Sequence, residues 1–69
     1  MLSIDYDIEL ALSRLFRMGY SCDDALSAAQ RHAHCTTERN DIAIRDYLNK
    51  CVGLALSGQK LPTREEVTC

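Results

Sequence analysis

The sequence predicts an all-α fold, built as a two-helix antiparallel hairpin that dimerises into a four-helix bundle. Three observations carry that expectation. Apolar or small residues recur in steps of four and three along most of the chain. Acidic residues precede basic ones in the order that a helix dipole favours. Turn-forming residues cluster at 34–37 and at 58–62. At 69 residues the chain is one domain, 1–69. A domain this short buries only about 60% of the surface that its unfolded form exposes, so its core needs a supplement.

The first helix is expected over about residues 5–34. Ile8, Leu12, Leu15, Gly19, Cys22, Leu26, Ala29 and Ala33 keep one stripe along it. Asp5, Asp7 and Glu9 stand near its start, and Arg31, His32 and His34 near its end. A competing reading breaks it at Met18-Gly19-Tyr20-Ser21: Gly19 ends one helix, and Ser21, with Asp24 three residues on, caps the next. The continuous helix is preferred because the apolar phase survives that segment. Gly19 is then a small seam residue that lets another helix approach.

His34 to Thr37 has turn character, and Thr36 or Thr37 can cap a second helix over about 37–57 with Glu38 and Asp41 in its first turn. Ile44, Leu48, Cys51 and Ala55 continue the four-three spacing. Gly58 stops the helix, Pro62 follows, and Thr63 with Glu66 forms a capping box for a short turn over about 63–67. One hairpin leaves its apolar stripe uncovered. A homodimer covers it through Ile8, Leu12, Leu15, Gly19, Leu26, Ile44, Leu48 and Cys51.

Composition narrows the function. A net charge of −2 with interspersed signs is unlike the basic face of a nucleic-acid binder, so no direct nucleic-acid contact is expected. No apolar run approaches the roughly 20 residues that span a bilayer. The opening Met1-Leu2-Ser3-Ile4-Asp5 lacks the basic and apolar stretches of a secretory signal, which points to a cytoplasmic protein with reduced cysteines. Cys22, Cys35, Cys51 and Cys69 have no close pair. His32, His34 and Cys35, with Cys51 or Cys22, offer zinc donors at poor spacing, so no metal and no cofactor are expected. Asp23 and Asp24 beside Cys22 oppose thiolate formation, and no phosphate loop or catalytic triad stands out. The chain reads as no enzyme.

A protein-binding role rests on large residues that the seam does not need. Phe16 and Tyr20 lie four apart, Tyr47 and Leu54 seven apart, and Arg39 and Arg45 accompany Tyr47. Aromatic and arginine side chains dominate binding hot spots. These six residues are the expected partner-binding surface, with Tyr47 as its anchor.

Two resemblances give that role a form. Leu15-Phe16-Arg17-Met18-Gly19-Tyr20-Ser21, followed by Ala25-Leu26, Ala43 and Tyr47-Leu48, resembles the ubiquitin-associated domain over about residues 8–48. The resemblance implies a compact three-helix monomer in which Met18, Gly19 and Tyr20 form the ubiquitin-contacting loop and Leu48 belongs to the last helix. The interval from Ala25 to Ala43 is about one helical turn longer than that family's spacing. In size and architecture the chain also resembles small phage-encoded anti-activators of the anti-quorum-sensing type. That likeness implies a dimer that docks on a host transcription regulator, with Asp5, Asp7, Glu9, Asp23 and Asp24 meeting a basic DNA-reading face. The preferred expectation is a module that binds and inhibits such a host protein. Ubiquitin binding is the alternative, and a small helix-turn-helix DNA-binding protein the third.

Overall fold

The computed structural model describes residues 3–67 and places three helices in them, α1 (Ile4–Arg17), α2 (Cys22–His34) and α3 (Asn40–Leu56), followed by a 3-10 turn at Arg64–Glu66. The Ser3 side chain opens α1 by accepting the Tyr6 N–H at 3.1 Å, and Asp5 and Asp7 occupy its first turn. The single helix expected over 5–34 is two helices. Gly19 takes a φ of +91°, its N–H donates to the Phe16 carbonyl at 3.0 Å, and the Tyr20 N–H donates to the Leu15 carbonyl at 3.0 Å. This hydrogen-bond pair closes a helix on a left-handed glycine. Two residues later the Ser21 hydroxyl accepts the Asp24 N–H at 3.3 Å and opens α2. The break satisfies backbone groups at both new ends, whereas a continuous helix would carry glycine at a cost of about 1 kcal/mol. Gly19 is exposed, and a Cβ built on it would meet nothing within 4 Å, so no helix approaches there as the seam reading required.

The next helix, α3, begins three residues later than the expected 37. Thr36 instead accepts the Glu38 N–H at 3.3 Å, within the loop. Arg39 occupies the N-cap position without a side-chain cap, and Asp41 accepts both the Ile42 N–H at 2.8 Å and an Arg39 nitrogen at 2.7 Å. Gly58, at φ +73°, ends α3 where expected. Its N–H donates to Ala55 at 3.0 Å, and the Gln59 N–H donates to Leu54 at 2.9 Å.

Between the other two helices lies α3, which packs more on each of them than they do on one another. Leu15 and Leu48 are fully buried at the centre. From α2 come Ala25, Ala28 and Ala29, and from α3 Tyr47, Leu48, Cys51 and Val52. Alanines on the buried face of α2 allow its backbone to come close. The seam residues Leu15, Leu48 and Cys51 thus meet inside one chain, with Ile8, Leu12 and Ile44 half-buried against them. Leu26 is only half-buried, because the buried register of α2 runs through Ala25 and Ala28 instead. Of the stripe that motivated a four-helix dimer, Leu15, Leu48 and Cys51 are buried by the packing of three helices within one chain.

Beyond Gly58 the chain returns over α2 as a strap. Val67 is buried in the core, Leu61 packs beside it, and Arg31 Nε donates to the Val67 carbonyl. The expected box at 63–66 is present, with the Thr63 N–H donating to Glu66 Oε1 at 3.1 Å. Cys35 is disulfide-bonded, which corrects the expectation of an all-reduced chain; Cys22 and Cys51 are free thiols. Cys69 lies outside the described residues.

Candidate protein-binding surface

The α1–α2 junction presents the most exposed aromatic of the chain. Phe16 sits in the last turn of α1 with 69% of its surface open to solvent. Its carbonyl is tied to Gly19 and that of its neighbour Leu15 to Tyr20, while Leu15 itself is fully buried, so the backbone beneath the exposed ring is fixed. Met18 and Tyr20 flank it half-buried, packed against the core. The Cys22 thiol donates to the Leu12 carbonyl at 3.3 Å and ties the start of α2 back onto α1. Phe16 and Tyr20 do not share a helix face as their spacing of four suggested, because Tyr20 lies beyond the end of α1.

Tyr20 and Ser21 also form one wall of a groove of about 400 Å³ whose other wall is Leu61, Pro62 and Thr63, with Cys51 lining it as well. Burial pushes the Cys51 thiol above its ordinary value, an effect that Lys50 partly offsets. The sulfur is therefore held protonated and is a poor nucleophile.

The second expected surface does not assemble. Tyr47, the expected anchor, is 9% exposed and belongs to the core, with its ring tilted against that of His32 at 5.2 Å between centroids. Its hydroxyl is buried without a hydrogen-bond partner, and its pKa is raised, first by burial and then by Cys51 and Glu66. Arg39 is solvent-exposed and paired with Asp41 at 2.7 Å, and Arg45 is paired with its neighbour Asp46 at 3.1 Å. Leu54 is half-buried and stands 15 positions from Arg39, about 22 Å along a helix. Pattern reading missed Leu56, which is 74% exposed at the end of α3, and Tyr6 and Leu10 on the outer side of α1. Leu56 falls one residue past the four-three position at Ala55, and that offset was the available signal.

Among the described residues no three His, Cys, Asp or Glu side chains are grouped to hold a metal. The sulfur of Cys35 is committed to its disulfide, and His32 is half-buried while His34 is exposed. No described helix is long and apolar enough to cross a membrane. No protein-family model, curated protein or solved structure matches the chain.

Proposed function

We propose that the chain is a non-enzymatic protein-binding module that works as a monomer, meets its partner with the α1–α2 junction, and takes a domain of ubiquitin type as that partner. The observation that carries the reading is Phe16, a large aromatic left open on a backbone fixed from both sides. Aromatic anchors supply much of the energy of an interface, and a site already rigid before binding loses little entropy on contact. Met18 and Tyr20 flank this anchor in the positions that the ubiquitin-associated resemblance gives to contacting residues. The three-helix order supports the same reading, with Ala25 on α2 and Ala43 and Leu48 on α3.

Docking on a DNA-binding regulator through acidic residues has less support. Asp5, Asp7, Asp23 and Asp24 lie in the first turns of α1 and α2, where they already complement the helix dipoles. Titrating the isotope-labelled chain with ubiquitin tests the proposal. Amide shifts are expected at residues 16–20, and Phe16→Ala is expected to weaken binding at least tenfold, about 1.4 kcal/mol, at unchanged helicity. Unshifted amides at the junction, or shifts confined to Arg39, Arg45 and Leu54, would falsify it.

A further inference from the structure

We infer that a groove between α2 and the strap is a binding site for a phosphate group, free or carried as the monoester of a small molecule. Gln30, Arg31 and His34 follow Ser27 at three, four and seven positions along α2, the spacing that puts side chains on one helix face. Arg64 lines the same groove from the 3-10 turn that packs on α2. These residues border a depression of about 440 Å³, inside the range of about 300–1,000 Å³ that small-molecule sites occupy.

The charge of this groove sets it apart. The groove at Tyr20 and Leu61 is lined by Asp24 and Glu65 as well as by Lys60 and Arg64, and the hollow between α1 and α3 by Asp7 and Asp46 as well as by Arg14 and Arg45. No acidic side chain lines the groove at Arg31 and Arg64. Among the described residues the ion pairs are Arg39 with Asp41 and Arg45 with Asp46, so both guanidinium charges here are uncompensated on a chain of net charge −2. Arg31 is already organised for a ligand. It is half-buried, and its Nε donates to the Val67 carbonyl, which fixes the guanidinium and leaves the two terminal nitrogens to donate elsewhere. A guanidinium held in this way loses little freedom on meeting an oxyanion, and its fork matches two oxygens of a tetrahedral phosphate. Arg64, exposed on the other wall, supplies a second charge, and Ser27, Gln30 and His34 add neutral donors. Two guanidiniums match the nearly double charge of a phosphate monoester, whereas a carboxylate needs one. The C-terminal end of α2 contributes about half a negative charge, which lowers the positive potential of the two arginines without cancelling it. This inference does not rest on what binds at the α1–α2 junction.

Titrating the isotope-labelled full chain with inorganic phosphate and with phenyl phosphate, at an ionic strength held constant with sodium chloride, tests the site. Saturable amide shifts are expected at Ser27, Gln30, Arg31, His34 and Arg64. Arg64→Gln is expected to weaken binding at least tenfold, and Arg31→Lys, which keeps the charge but loses the fork, at least threefold, both at unchanged helicity. Tighter binding of phenyl phosphate identifies a carried phosphate as the ligand, and equal binding a free one. The absence of a saturable shift with either anion overturns the site, and so do the same shifts on raising sodium chloride alone or an unchanged affinity in Arg64→Gln. Oligothymidylate held at these residues more tightly than phenyl phosphate overturns it as well, because the groove then reads the phosphodiesters of a nucleic-acid backbone.

Discussion

Gly19 and Gly58 end two helices with the same pair of hydrogen bonds, yet the chain behaves differently after each. Beyond Gly19, Ser21 supplies a capping hydroxyl within two residues, and a new helix starts at once. Beyond Gly58 no capping side chain follows directly, and Pro62, without an N–H and with a fixed φ, keeps the chain extended until Thr63. A glycine cap decides only where a helix stops. The residues just beyond it decide whether the chain turns into another helix or runs on as a strap. One junction therefore fixes the backbone beneath Phe16, and the other is followed by a strap that is tied down at its far end, by Val67 and Arg31.

The largest expected effect separates what lies beneath the two. Leu15 is fully buried under the Gly19 junction, and Leu15→Ala is expected to cost about 2–5 kcal/mol. Val67 is buried at the end of the strap, and Val67→Ala removes two carbons for about 1–2 kcal/mol. Urea unfolding monitored by circular dichroism measures both. Equal losses would mean that the strap is built into the fold as firmly as the junction, and the contrast between them would fail.

Much of this was legible in the sequence. The all-helical class, the stop at Gly58 and the box at Thr63 and Glu66 follow from local chemistry alone, and the structure has them. The signals for the break at 18–21 were also present, but the apolar phase outweighed them. That phase runs across the break only on paper. The register α2 actually buries passes through Ala25 and Ala28, which a reading centred on large side chains ranks below Leu26. Tyr47 was misplaced for a related reason. Seam counting treats a residue between seam positions as surplus, whereas α3 is covered on two sides and buries Tyr47 together with Leu48. The disulfide at Cys35 was not legible, because wide spacing in sequence says nothing of proximity in the fold.

A smaller effect sharpens the comparison at the glycines themselves. Both adopt positive φ, and a Cβ on either would meet no atom within 4 Å, so alanine is penalised by the backbone alone. Gly19→Ala and Gly58→Ala are each expected to cost about 1–2 kcal/mol, equal within about 0.5 kcal/mol. Their local consequences should differ: amide shifts at Phe16 and Tyr20 for the first, and along Gln59 to Val67 for the second. Thermal melts combined with amide spectra read out both quantities. If Gly19→Ala disturbs the strap as strongly as Gly58→Ala does, the two ends are coupled rather than independent.

The smallest effect is expected in acid, and it acts on one end only. Glu66 accepts the Thr63 N–H, and this bond, then the Thr63 hydroxyl, holds its carboxyl below the usual carboxylate range. A depressed folded value favours the charged form in the folded state. Its contribution is therefore fully present above the unfolded value, near 4.5, and is lost as pH falls through the folded one. The junction at Ser21 is capped by a hydroxyl that does not titrate in this range. From about pH 6 to about pH 3, amide signals of Thr63 and Val67 should move while that of Gly19 stays in place, at constant helicity. Glu66→Gln keeps an acceptor oxygen but removes the charge, and should abolish this acid shift while leaving the neutral-pH spectrum of the helices unchanged. If both ends shift together in the wild-type chain and the variant alike, the acid sensitivity belongs to the helices, and the strap has no separate response.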